Sequence, residues 1–391
     1  MLGVLIVMRI IVFGVGVRYN HFLMYGLSDS TRRSEYEIIY AADNLLELQG
    51  QKINGMPVIP PSMIPGVMDN ESIDAIVITV SRCHLYEVVR QLQSMKVTKP
   101  VYFWDYQDNT NERFKTIDIK RPSLPYLECD VVRHCNLNCS GCGHISNIST
   151  QEYLHEEEIV KDFSRMADMF SNVDTIRLMG GEPFLHPKLS VILCCVRELF
   201  PFADIRIVTN GILIPHGKQE LFSAIKETNT ILDISLYRPT FEKWFEIKKI
   251  LQYEKIVYDL SEPVTMFYKA CDLHSTVNYI ENFSKCVAPC VTLRHGRLYR
   301  CGFMLLLKRL KHHYPNETDG FWKDLGDING INIHDTQIDG WEVEKRLHVP
   351  RKICAYCHSP NWWEQWWQDE KIQLPWECKK EAKFGDWIYG I

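Results

Sequence analysis

Apolar runs of four to six residues alternate along this chain with segments whose apolar positions recur every three or four residues. Short breaks carrying glycine, proline, asparagine or serine separate them, and the pattern predicts βα units built on parallel sheets. Near the start, Arg9–Phe13 reads as a buried strand, Gly14-Val15-Gly16 as a tight turn, and a helix follows from about Tyr19. Further strands are expected at Glu37–Ala41, Asp74–Thr79 and Val101–Trp104, with a helix over Leu85–Met95. Residues 107–125 are polar and contain Arg121-Pro122 and Leu124-Pro125, a composition that suits a linker. Alternation then resumes. Strands are expected at 127–133, 174–179, 204–208, 231–236 and near 255–260 and 264–269, and helices at 155–170, 188–199, 217–227 and 240–251. Six such units make a partial form of the parallel barrel, whose chemistry lies at the C-terminal strand ends. Beyond residue 284, Val291–Leu293 and Arg297–Tyr299 flank His295-Gly296 as a hairpin.

Length and composition set bounds on this picture. The 391 residues allow two or three domains, and 46% hydrophobic with 24% charged residues is enough for ordinary cores. A net charge of −5 and a pI near 6.3 leave no footprint for nucleic acid or an anionic membrane. The first seventeen residues resemble a signal peptide superficially, but they lack a basic leader and Arg9 interrupts the apolar run; Met8 offers an alternative start. A cytoplasmic protein is expected. Fourteen cysteines in a reducing compartment point to metal binding in preference to disulfides.

The cysteines cluster. Cys135, Cys139 and Cys142 have C-x3-C-x2-C spacing, which supplies three thiolates, and a [4Fe–4S] cluster held by three keeps one iron open. Gly180-Gly181-Glu182-Pro183 follows, at the end of an expected strand. Together these motifs resemble the radical S-adenosylmethionine (radical SAM) enzymes. The resemblance implies that Cys135, Cys139 and Cys142 hold the cluster, and that the open iron chelates the amino and carboxylate groups of S-adenosylmethionine. An electron then cleaves the sulfonium to a 5′-deoxyadenosyl radical, which takes a hydrogen atom from substrate. It also implies that Gly180 and Gly181 let backbone approach the cofactor, that Glu182 accepts from its ammonium group, and that Ser235 binds ribose with Asn210 on the same rim. The family often has an aromatic residue before the third cysteine. Here that residue is Gly141, so adenine stacking is expected from His144 or a residue on a later strand. Zinc with His134 or His144 as fourth ligand is the bland alternative.

Cys286-x9-Gly296-x4-Cys301, then Cys354-x2-Cys357, resembles the twitch domain, a short relative of the SPASM extension that carries one auxiliary [4Fe–4S] cluster. Cys290 competes with Cys286, leaving five candidates for four positions, and zinc again is the alternative. Cys271, after the sixth strand, is a candidate hydrogen-atom donor, with packing as its commoner role. Cys83, Cys129, Cys194 and Cys195 fall on core patterns, while Trp362-Trp363 and Trp366-Trp367 could stack on sugar rings or cover a cluster.

The fold class is therefore α/β. A Rossmann-like domain (8–110) and a linker (111–125) lead to a partial (β/α)6 radical SAM barrel (126–283) and a small α+β iron–sulfur domain (284–391). In the first domain the Gly14-x-Gly16 fingerprint is incomplete; the segment looks like the nucleotide-sugar-associated domains of polysaccharide-pathway proteins, with a docking role as the alternative. The expected function is oxidation or epimerisation of a carbohydrate-like or nucleotide-linked small molecule, with flavodoxin or ferredoxin as electron donor. Two alternatives stand beside it: radical modification of a ribosomal peptide, and a non-catalytic zinc-binding module.

Overall fold

The structure is a computed structural model that describes residues 7–26, 36–105, 114–139, 142–264, 267, 271–272, 275–286, 290–316, 322, 325–357 and 388–389. Gly141, most of the strand expected at 264–269, the tryptophan run, Cys378 and the Cys83 side chain lie outside the described residues. The chain divides into two compact units, Met1–Leu124 with Phe170–Asp174, and Pro125–Met169 with Thr175–Ile391.

The first unit holds β1 (Met8–Phe13), β2 (Tyr36–Ala42), β3 (Lys52–Ile53), β4 (Met56–Ile59), β5 (Ala75–Ile78), β6 (Val101–Trp104) and β7 (Phe114–Ile117). Their order is β3-β4-β2-β1-β5-β6-β7. The pairs from β4 to β6 are parallel and both edge strands antiparallel. This is the order of half a doubly wound sheet. β5, and β1 from Ile10 onward, read as apolar runs because helices cover both faces of such a sheet. The stretch expected as a linker instead supplies β7. Phe114 stacks on Tyr36 at 5.2 Å and meets Trp104 edge-on at 5.2 Å, so aromatic burial outweighs the polar composition around it. Asp43, which follows β2, accepts from the backbone N–H of Val15 at 2.8 Å and of Leu45 at 2.9 Å. Its carboxylate therefore braces the glycine turn.

The second unit holds β8 (Ser123–Val132), β9 (Asn172–Gly180), β10 (Asp204–Thr209), β11 (Ile231–Ile234) and β12 (Tyr258–Leu260), with β13 at Cys271–Asp272. The hairpin β14 (Thr292–Arg294) and β15 (Arg297–Tyr299) and the short β16 (Ile331–Asn332) follow. One sheet runs β12-β11-β10-β9-β8-β14-β15-β16. The helices α4 (Glu156–Met169), α5 (Leu189–Leu199) and α6 (Gln219–Glu227) cover it. Each is amphipathic, with buried positions three or four apart, such as Ile159, Phe163 and Met166, or Leu189, Ile192, Leu193 and Val196. The helix expected at 240–251 is two, Arg238–Glu242 and Trp244–Glu254. Cys129 is buried as expected, whereas Cys194 is exposed on the outer face of α5. Among the described residues no helix is long and apolar enough to cross a membrane.

The hairpin continues the barrel sheet: β14 pairs parallel to β8, at Thr292 with Glu128 and Leu293 with Cys129. His295 (φ 46°) and Gly296 (φ 64°) both lie left-handed, the two-residue turn whose twist matches a hairpin. Helix α4 fixes this turn. Buried Asp162 accepts from the Gly296 N–H at 2.7 Å and pairs with His334 Nε2 at 2.7 Å, while His295 Nδ1 meets Glu158 at 2.8 Å. Asp162→Ala strands a buried N–H and a histidine, so unfolding in denaturant should show a loss of about 2–3 kcal/mol with an unchanged slope.

Candidate cluster and cofactor site

The ends of β8 to β11 carry the motifs, and the backbone joins them into one rim. The Gly181 N–H donates to Val132 O at 2.8 Å, Glu182 N–H to His134 O at 3.1 Å, and Ser235 N–H to Thr209 O at 2.9 Å. The glycines have a steric reason. A Cβ on Gly180 (φ +134°) would stand 2.2 Å from Val132 O, and one on Gly181 would stand 1.8 Å from His134 O. The backbone they admit is that of the cysteine loop itself, a reason the cofactor-based reading of these glycines does not contain.

Glu182 is fully buried. Its carboxylate accepts from the Thr209 hydroxyl at 2.7 Å, Asn210 N–H at 2.8 Å and Phe184 N–H at 3.1 Å. Burial raises its pKa to about 7 in spite of these bonds. A carboxylate has about four lone-pair sites, so capacity remains for a further donor. Asn210 reaches back over the rim, donating from Nδ2 to Asn136 Oδ1 at 2.8 Å and to Cys135 Sγ at 3.6 Å. The Thr240 hydroxyl holds Asn210 from behind, donating to its carbonyl at 2.6 Å.

Cys135, Cys139 and Cys142 are half-buried on the loop after β8. Burial raises the Cys135 thiol to about 12, and the Leu137 N–H donates to its sulfur at 3.4 Å. Tyr237, two residues past Ser235, is an aromatic group absent from the sequence reading. Its phenol is raised above the usual range first by burial and then by all three thiols. Its ring meets Phe267 edge-on at 5.9 Å. The signal was its place at a strand end. His144, the other aromatic candidate, turns to Asp130 at 3.4 Å instead. The loop's far side is pinned by Ile145, which buries its side chain in the C-terminal core although its backbone is left-handed (φ 55°), a costly state for a β-branched residue.

The C-terminal cysteines gather around two cavities. A small one of about 30 Å³ is lined by Cys286, Cys301, Cys354 and Cys357. Asn282 clasps the Cys354–Cys357 knuckle, donating to the carbonyls of Cys354 at 2.6 Å and Cys357 at 2.9 Å. A larger cavity of about 290 Å³ reaches from Gly143 and Met179 to Cys286, Cys290 and Cys301. Cys290 lines this one and not the small one. Cys271 is fully buried with Tyr299, Leu307 and Trp322 and bridges to Cys357 by backbone, surroundings that suit a packing role. Asp130 and Glu128 also face the larger cavity. Burial works against the Asp130 charge, yet Arg309, His144 and Arg294 together hold its carboxyl well below the usual range.

The radical SAM superfamily profile matches residues 130–265, the segment that carries the rim. By that match the chain is similar to the radical SAM enzymes. Among curated relatives, the GTP 3′,8-cyclase of Microcystis aeruginosa is 30% identical over 127 residues, covering 31% of this chain and 37% of that protein. That of Clostridium acetobutylicum is 32% identical over 132 residues, covering 32% and 40%. The chain thus spans well under half the length of these relatives. The solved structure of BtrN in complex with AdoMet and 2-DOIA is 16% identical, with a TM-score of 0.36, and the match covers 60% of this chain and 93% of that one.

Radical SAM enzymes carry a [4Fe–4S] cluster and bind S-adenosylmethionine, and the residues here suit both. Three soft thiolate donors on one loop, with an amide directed at one sulfur, are the donor set of an iron–sulfur cluster. Among the described residues no three histidine, cysteine or acidic side chains are gathered tightly enough to hold a single ion; a polynuclear cluster is wider and takes its thiolates further apart.

Gly181→Ala should expel the cysteine loop: iron bound through Cys135, Cys139 and Cys142 should be lost, read by iron analysis beside an intact far-UV spectrum. Glu182 gives a pH signature in the metal-free protein. Its folded pKa of about 7 exceeds the ordinary 4.5, so the folded state holds the proton more tightly, and stability falls as pH rises from about 4.5 through about 7. Glu182→Gln should remove that part of the pH dependence of the urea midpoint.

Proposed function

We propose that this enzyme performs radical chemistry on a nucleotide-linked small molecule, either oxidising it, with a second, auxiliary [4Fe–4S] cluster as electron acceptor, or epimerising it. The observation that carries the second cluster is the small cavity ringed by Cys286, Cys301, Cys354 and Cys357. Four thiolates make a closed set, which suits an electron-transfer cluster with no open iron. Cys290 is then a free thiol at the reaction cavity. When bound, the first cluster and S-adenosylmethionine supply a 5′-deoxyadenosyl radical that removes a hydrogen atom from substrate.

The chain's own residues would hold the parts. Cys135, Cys139 and Cys142 ligate the first cluster, and Asn210 donates to Cys135 and keeps the loop against the rim. Glu182 offers its remaining lone pair to the cofactor ammonium, while Ser235 and Tyr237 face ribose and adenine. The cavity between the cysteine groups shields the radical from water and receives the substrate. A nucleotide substrate is supported by the GTP in the relatives' name, although their similarity covers about a third of this chain. A small reducing protein such as flavodoxin or ferredoxin is the expected electron source.

Anaerobic iron and sulfide analysis tests the assignment. The wild type should hold about eight irons, and the Cys135→Ala/Cys139→Ala/Cys142→Ala variant about four, with loss of the SAM-dependent EPR signal. Cys301→Ala should also fall to about four irons, whereas Cys290→Ala should retain about eight. Equal iron loss in Cys290→Ala and Cys301→Ala would refute the four-ligand set.

A further inference from the structure

A third cavity, of about 510 Å³, opens beside the hairpin, between the loop after Cys142 and helix α10 (Gly302–His313). Four permanent cations line it, Arg133, Arg294, Lys308 and Arg309, along with His295, His312 and His313. Two carboxylates answer those four. Asp130 is 3.0 Å from Arg294 Nη1 and also contacts Arg309. Glu152 lies 2.7 Å from Arg133 and 3.8 Å from Arg294 Nη2. Glu152 is also 3.8 Å from His295, which Glu158 pairs more closely at 2.8 Å. Lys308 donates to the Tyr299 phenol at 3.2 Å, a neutral partner that cancels no charge.

Cations therefore exceed anions around this space, and the excess is not solvated away. The Arg294 side chain is 1% exposed, yet its Nε and Nη2 have no hydrogen-bond acceptor, nor do the buried Nε atoms of Arg133 and Arg309. Burial lowers the Arg294 pKa; Asp130 opposes this and Arg309 and Arg133 add to it, leaving it at about 10. Guanidinium forks match the paired oxygens of phosphate, and a desolvated site strengthens each contact. The volume falls within the roughly 300–1,000 Å³ usual for small-molecule sites.

We infer that this cavity receives a diphosphate group of the substrate, gripped by Arg133, Arg294, Lys308 and Arg309. Arg309 and Leu305 line both this cavity and the one between the cysteine groups. A diphosphate bound here would leave the organic part of the molecule facing the reaction cavity. That orientation rests on the radical reading proposed above; the anion site does not.

The test is calorimetric titration of the anaerobically reconstituted full chain with inorganic pyrophosphate. Saturable one-to-one binding is expected, weakening as KCl is raised. It should be about tenfold or more weaker in Lys308→Glu, which alters a half-buried residue of α10, and in Arg294→Gln, whose fold is checked by its thermal melt. No saturable binding at millimolar pyrophosphate, or equal affinity in wild type and both variants, would overturn the site. Iron content and SAM cleavage are read on the same samples. A wild type that cleaves SAM but binds no pyrophosphate removes the diphosphate site and leaves the enzyme reading standing.

Discussion

Everything at the rim depends on one close approach of two backbones. Gly180 and Gly181 pass so near Val132 and His134 that no side chain fits, and two N–H donors close the contact. This fixes the root of the cysteine loop to the end of β9. Glu182 then joins β9 to β10 by accepting from Thr209 and Asn210, and Asn210 returns a hydrogen bond to Cys135. Three strand ends and the cysteine loop are thus locked by one carboxylate and two residues without side chains. The cost is a fully buried acid, kept because three donors satisfy it.

A second set of constraints joins the hairpin to the barrel. Asp130 on β8 faces Arg294 on β14 and Arg309 on α10, and Asp162 on α4 holds the turn between β14 and β15. Buried ion pairs of this kind contribute little net stability, because desolvation offsets attraction. Their value here is placement. They bring Cys286, Cys290 and Cys301 within one cavity of the loop that follows Cys142, and they leave cationic groups facing a neighbouring cavity. The strained Ile145 acts in the same direction, tying the first cysteine loop into the core that carries the second cysteine group.

Much of this was legible in the residues. β5 was readable because a parallel strand buried on two faces is an unbroken apolar run, β10 because Ile205 and Ile207 alternate with polar residues, and α4 to α6 because each keeps one apolar face. β7 was missed because Phe114 and Ile117 lie in a polar stretch, and the aromatic neighbours that Phe114 meets are distant in the sequence. Counting strands sets Cys271 after the sixth strand, and only the fold shows its side chain buried in the C-terminal core. Cys286 and Cys290 were indistinguishable by spacing, since four residues apart on one segment leaves either free to face the site.

The sequence by itself determined the α/β class, the cysteine triplet and the glycine-glycine-glutamate motif, because local periodicity and ligand spacing are written in neighbouring residues. The tertiary structure decided what those residues touch. It set Tyr237 beside the three thiols and Cys290 outside the small cavity, and it gave the paired glycines a backbone to accommodate. It also gathered Arg133, Arg294, Lys308 and Arg309 from a strand end, a hairpin and a helix around one space. Such convergence joins positions more than a hundred residues apart, and only the fold determines that distance.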